Sequence, residues 1–135
     1  MKIVYAYVVG DILHEGHLLA LENARALGDK LIVGVLTDKA VMEKKSIPVV
    51  SFNERIKIIG SLRCVDCAVP QDDYSPINNL KAIQPDILME STSHIGNKYL
   101  KQLRKVFKGR IIMMPYYPEQ SSSAIKRKLK KLNHL

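Results

Sequence analysis

Two histidines three residues apart, His14 and His17, lie in the stretch YVVGDILHEGH (7–17), just where an apolar run ends in Gly10 and Asp11. Imidazole N–H groups, neutral or cationic, are hydrogen-bond donors near neutral pH. If a helix starts near Glu15, its first backbone N–H groups and the positive end of its dipole point to the same spot. Gly16 lets a bulky group approach the backbone, and three-residue spacing turns both rings to one side of the first turn. Together these features predict a phosphate cradle over the end of a strand. The zinc-protease pattern requires histidines four apart with glutamate directly after the first. The three-residue spacing argues against it. The plainer reading, two histidines that only cap a helix, fits a pair flanking a glycine at a strand end less well.

The elements that hold this stretch are legible as alternating strands and helices. KIVYAYVV (2–9) is almost wholly apolar, as in a strand buried on both faces of a parallel sheet. Leu18, Leu19, Leu21, Ala24 and Leu27 recur at helical spacing, and Gly28 marks a stop. A second strand is predicted over 30–36. SFNE (51–54) is a capping box that opens a helix running to about Gly60. A third strand is expected at 64–70, a helix over 76–84 ended by Pro85, and a fourth strand at 86–89. A helix over about 97–107 leads to a fifth strand at 110–114, stopped by Pro115. A basic helix follows from about 121. This alternation argues for one α/β domain over 1–135, a Rossmann-like, five-stranded parallel sheet with helices on both faces. Ligands of such sheets sit beyond the C-terminal strand ends, where strand order reverses. The first strand usually flanks that point.

Charge adds a second pointer. The chain carries +8 overall, yet residues 1–97 hold 10 basic and 12 acidic side chains, whereas 98–135 hold 11 basic ones and the single acid Glu119. An anionic ligand near the C-terminal part is expected. The last few lysines are read as a solvated helix face. No recognition motif or interleaved aromatics accompany them, so nucleic acid is not an expected partner. No apolar run approaches the ~20 residues of a membrane span, and no secretory signal opens the chain, so a cytoplasmic protein is expected. Cys64 and Cys67 read as buried thiols on opposite faces of a strand, not as a redox or zinc pair.

DILHEGH (11–17) resembles the H-x-G-H signature of the nucleotidyltransferase superfamily. Further segments match in order. VGVLTDKAVMEKK (33–45) resembles a second-strand motif whose lysine is here Lys44. SFNER (51–55) resembles the helix start whose arginine is Arg55. CVDCAVPQ (64–71) and QPDIL (84–88) resemble the third- and fourth-strand segments, and SSSAIK (121–126) resembles a C-terminal phosphate-binding turn. The chain is most similar in these motifs to small cytidylyltransferases acting on glycerol phosphate or on phosphonates. The resemblance implies that an acceptor phosphate or phosphonate attacks the α-phosphorus of CTP or ATP and releases pyrophosphate. It implies His14, His17 and Lys44 as catalytic residues. Val9, Gly10, Asp11, Glu15, Gly16, Arg55, Glu90, Ser121, Ser122 and Ser123, with the two histidines, would hold the nucleotide. Mg²⁺ would accompany the triphosphate, with no protein metal cage. A homodimer is also expected, because a small sheet leaves its edges open.

The sequence departs from the family pattern in three places. Gly10 directly precedes Asp11 without the usual intervening aromatic. ESTSH (90–94) replaces a GDDW-like segment, and Tyr116 and Glu119 stand near the usual arginine and glycine. Glu90 is expected either to accept from an exocyclic amino group of the base or to be a solvated rim residue paired with a lysine. Two alternatives stay open: an ATP-dependent adenylyltransferase of the FAD or coenzyme A precursor type, and a nucleotide-binding regulatory protein without turnover.

Overall fold

A computed structural model describes residues 1–91, 97–114 and 122–132, with the side chains of residues 97, 122 and 123 excepted. The elements run β1 (Ile3–Val8), α1 (Glu15–Ala26), β2 (Lys30–Leu36), α2 (Asp38–Met42), α3 (Phe52–Gly60), β3 (Cys67–Gln71), α4 (Ile77–Ile83), β4 (Ile87–Ser91), α5 (Asn97–Val106), β5 (Arg110–Met114) and α6 (Ser122–Leu132). Five parallel strands form one sheet in the order β3-β2-β1-β4-β5. The order reverses between β1 and β4, as the sequence predicts.

Alternation along β1 sets the two layers. Val4 and Ala6 point to one face with Leu21 and Ala24 of α1 and Ile59 of α3, whereas Tyr5 points to the other with Leu80 of α4, Leu103 of α5 and Phe107 just after it. Each of these apolar side chains is buried and contributes about 1.5–3 kcal/mol when leucine-sized. Leu36, Ala40 and Val41 form a smaller cluster with Tyr7, Val9 and Tyr74 near the C-terminal end of the sheet. β1 and β2 pair along six residues, but β1 and β4 pair only at Val4↔Ile87 and Tyr5↔Leu88. The β1–β4 ladder therefore stops three residues before the end of each strand, at the switch point where a ligand is expected.

Three expectations need correction. The third strand starts at Cys67, not Cys64, because Asp66 closes the preceding turn through the Leu31 backbone: its N–H donates to the Leu31 carbonyl and its carboxylate accepts from the Leu31 N–H. Cys64 thus lies before the strand and is half-buried, and Cys67 is exposed, so the two are not a buried pair. Helix α2 has no counterpart in the sequence reading, although Thr37 caps it by accepting from the Ala40 N–H at 3.3 Å. Among the described residues no helix is long and apolar enough to cross a membrane.

Candidate active site

The backbone after β1 turns sharply to reach α1. Gly10 has φ +72°, a conformation glycine adopts without penalty, and Ile12 has φ +48°, which a β-branched residue adopts only under strain. Backbone strain of this kind clusters at functional sites. Asp11, buried between them, accepts from the Val49 N–H at 3.0 Å, the Val50 N–H at 2.9 Å and the Lys126 ammonium at 2.7 Å. Burial opposes ionisation of Asp11, but these three donors outweigh it and hold its carboxyl below the usual range. Asp11 thus binds α6 and the loop before α3 to the end of β1. The structure places Asp11, expected at the nucleotide, in this anchoring role.

His14 is the N-cap of α1, in extended conformation, and His17 is the third helical residue. Nδ1 of His14 accepts from the Gly16 N–H at 2.9 Å, and Nδ1 of His17 accepts from the His14 N–H at 3.2 Å. The ring centroids lie 4.1 Å apart. The pair forms a reciprocal capping box with histidines in place of the usual Ser/Thr and Glu/Gln. A neutral imidazole that accepts at Nδ1 carries its proton at Nε2. Both rings therefore present Nε2–H donors. Here too the expectation shifts: the backbone N–H groups of His14 and Gly16 are taken by the imidazoles, so the ring Nε2–H groups are the donors this cap has left.

Burial lowers the pKa of His14; burial and the neighbouring His14 ring push that of His17 down to about 4, against a smaller opposing pull from Asp11. Both rings are neutral at pH 7. An unfolded histidine titrates near 6.5. Between pH 6.5 and 4 the unfolded chain therefore binds a proton that folded His17 does not. Stability is full above this window and falls as the pH drops through it, by on the order of 2–3 kcal/mol. Thermal melts from pH 7.5 to 4.5 are expected to show this loss, and His17→Gln, which keeps a capping acceptor, is expected to flatten the slope. An unchanged slope in that variant would contradict the assignment.

Glu15 is exposed in the first turn of α1, where its charge complements the helix dipole, and Gly16 is buried. Arg55 is fully buried and does not face outward. Its Nε donates to the Val50 carbonyl at 3.0 Å, one terminal nitrogen donates to the Val9 and Leu36 carbonyls at 2.6 Å each, and the other donates to Asp38 at 2.7 Å. The structure places Arg55, expected at the nucleotide, as a buried brace. Arg55 fastens the ends of β1 and β2 to the loop before α3, and Val9 enters through its carbonyl.

Lys44 follows α2 and is exposed, with Nζ 5.6 Å from the centre of the Tyr74 ring. Tyr74 is fixed from below. Its backbone N–H donates to Glu43 at 2.9 Å, and the Gln71 side-chain amide donates to the Asp73 and Tyr74 carbonyls. Gln71 in turn accepts from the Tyr5 hydroxyl at 2.5 Å. Tyr5 fits because residue 34 is glycine: a Cβ there would lie 1.9 Å from its hydroxyl. Glu90, at 1% exposure, is not a solvated rim residue. It accepts from the hydroxyls of Tyr7 and Tyr99 and from the Ser91 N–H. Ser121 and the side chains of Ser122 and Ser123 lie outside the described residues, as do 92–96, Tyr116 and Glu119.

The structure thus joins His14 to His17 on the α1 side of the strand ends and brings Lys44 beside Tyr74 on the α2 side. Asp11 and Arg55 brace both from behind. Lys126, Tyr7 and Tyr99 were not singled out by the sequence. The two tyrosines sit in apolar or amphipathic runs and read as core, and Lys126 is one of many C-terminal lysines. Among the described residues no three His, Cys, Asp or Glu side chains gather as a protein-held metal would require.

The sequence model of the cytidylyltransferase-like family matches residues 10–128. The chain belongs to this family of nucleotidyltransferases. Its cytidylyltransferase-like fold is shared with the lipopolysaccharide core biosynthesis protein from Thermoplasma volcanium GSS1, at 28% identity and a TM-score of 0.79 over 87% of this chain and 98% of that one. A pantoate-beta-alanine ligase from Francisella tularensis shares the fold at a TM-score of 0.59 and 17% identity, over 96% of this chain and 69% of that one. Among curated relatives, the bifunctional protein HldE of Helicobacter pylori (strain Shi470) is 36% identical over 96% of this chain and 28% of its own length. HldE of Methylobacillus flagellatus is 32% identical over 95% of this chain and 27% of its own length. The chain spans under a third of the curated relatives it matches.

Proposed function

We propose that this chain transfers a nucleoside monophosphate from CTP or ATP to the phosphate or phosphonate of a small acceptor. An acceptor oxygen, already anionic, forms a bond to the α-phosphorus. The bond from that phosphorus to the bridging oxygen breaks, and pyrophosphate leaves with the electron pair. No covalent enzyme intermediate and no base are needed. Catalysis then consists of positioning and charge stabilisation. The observation that carries this reading is the pair of neutral imidazoles, each with Nδ1 tied to the helix cap and Nε2–H left as its donor. Such donors hold phosphoryl oxygens as charge builds on them without adding cations to the resting site. Lys44, on its exposed stem, neutralises the incoming phosphate. Mg²⁺ would accompany the triphosphate as its counter-ion and help neutralise its charge.

The family description favours a cytidylyl group. The name of the Thermoplasma neighbour, a lipopolysaccharide core biosynthesis protein, points to saccharide chemistry, and the base stays open between CTP and ATP. A thermal-shift screen with CTP, ATP, UTP and GTP, each with Mg²⁺, separates the two bases. The cognate nucleotide at a hundredfold excess over its Kd is expected to stabilise the chain by about 2.7 kcal/mol. No shift with any of the four would contradict the proposal.

A further inference from the structure

The C-terminal helix α6 carries Ile125, Leu129 and Leu132 at intervals of four and three residues, which puts them on one stripe of its surface. Ile125 is half-buried, but the stripe beyond it is not packed away. Leu129 is 51% exposed and Leu132 61%, whereas no leucine of the core exceeds 2%. Lys126, Arg127, Lys128, Lys130 and Lys131 stand around the stripe, all exposed, and the helix contains no acid. Lys126 reaches Asp11 at 2.7 Å and fastens α6 to the end of β1. The other four cations make no ion pair among the described residues. Helix α5 is the contrast. It carries Lys98, Lys101, Arg104 and Lys105, yet its Leu103 is fully buried against the sheet and Phe107, just after it, is buried too. Both helices are basic, and α6 alone of the two leaves its leucines in water.

Such a face calls for an occupant that is anionic at its surface and apolar beneath. Nucleic acid supplies anions but little to bury two leucines, and α6 has no aromatic side chain on which bases stack. A second α6 seated on the stripe supplies apolar contact, but it sets five cations against five with no acid between them. A protein groove takes in an amphipathic helix along both flanks. Here one flank is held to the domain through Lys126 and Asp11, which suits a flat partner better than a groove. A bilayer with anionic headgroups meets each demand. Leucine side chains enter the boundary between headgroups and acyl chains, while Lys and Arg reach the lipid phosphates, as in helices that lie in the plane of the interface. The rest of the C-terminal part does not oppose this, since residues 98–135 hold 11 basic side chains and the single acid Glu119.

We propose that α6 is a membrane-docking helix: Leu129 and Leu132 enter an anionic lipid bilayer, and Arg127, Lys128, Lys130 and Lys131 bind its phosphates, so that the chain works as a peripheral protein at that surface. The docking face is independent of the transfer reading. It is tested by flotation of the full chain with vesicles of phosphatidylcholine alone and of phosphatidylcholine mixed with phosphatidylglycerol. Binding is expected to the anionic vesicles and not to the neutral ones, and it is expected to weaken as salt rises. Lys130→Gln and Lys131→Gln are each expected to lower the partition coefficient about fivefold, the scale of one cation near an anionic surface. Leu129→Gln combined with Leu132→Gln leaves the charge unchanged and is expected to lower it at least about tenfold. All four positions are exposed, so the melting temperatures are expected to stay near that of the parent. Failure of the parent to bind anionic vesicles, or equal binding to neutral ones, would overturn the proposal. So would a leucine double variant that binds as well as the parent, because charge attraction alone would then account for the binding. A parent that light scattering shows to be a dimer, and that the leucine double variant returns to a single chain, would give the stripe to a second copy and overturn it as well.

Discussion

Replacing His14 or His17 with alanine is expected to lower kcat by about 10²–10³-fold, the scale of losing one donor to charge that develops in a transition state. The double substitution is expected to cost little more than either single one, because the pair acts as a unit. Alanine also removes half of a helix cap, worth about 1 kcal/mol, so a loss of activity could be mistaken for a loss of structure. The capping geometry supplies the control. Asparagine is a good N-cap, and glutamine at the third helical position completes a capping box. His14→Asn and His17→Gln are therefore expected to keep the melting temperature near that of the parent while kcat still falls at least 10²-fold. Those residue types cap a helix at least as well as histidine, so capping alone does not explain two imidazoles here. Near-normal turnover in either conservative variant would remove the histidines from the chemistry. A change confined to KM would reduce them to ground-state binding.

Arg55→Met is expected to destabilise the fold by about 3–5 kcal/mol in a denaturant melt, because it leaves buried acceptors without their donor. The carbonyls of Val9, Leu36 and Val50 carry most of that effect. Asp38 is 42% exposed and can turn to water, so the ion pair itself adds little. Arg55→Lys is expected to recover less than half of the loss, since an ammonium cannot fork across three segments. A loss below about 1 kcal/mol in the methionine variant would show that the brace is redundant.

These two effects differ in how far the sequence discloses them. The histidine pair, its glycine and the strand before it are local in the chain, and an apolar run ending at a helix start places them. The cap at Ser51, the apolar runs of β1 and β2 and the proline after β5 are equally local, and the observed elements follow them closely, whereas the capping role of the two imidazoles shows only in the structure. Arg55 is different. As a charged residue on a short amphipathic helix it reads as ligand-facing, and only the convergence of β1, β2 and the loop before α3 reveals three carbonyls waiting for one guanidinium. Asp11 follows the same logic, since its partners lie 38, 39 and 115 residues away. Helix α2 is a single turn without room for a helical period. CVDC has the composition of a strand, and only the Asp66 carboxylate holding the Leu31 N–H delays β3 to Cys67. Tyr7 and Tyr99 carry no polar signal beyond their hydroxyls, whose partner is 83 residues from one and nine from the other.

The most direct measurement is ³¹P NMR of the full chain with Mg²⁺, the nucleotide that gives the thermal shift, and hexose 1-phosphate or glycerol phosphate. The account predicts that the triphosphate signals decline while pyrophosphate and a new nucleotide-diphospho resonance appear in equal amounts, and that His14→Asn slows both together. Release of orthophosphate without the mixed diphosphate, or a nucleotide that binds and stays intact with every acceptor, would contradict it.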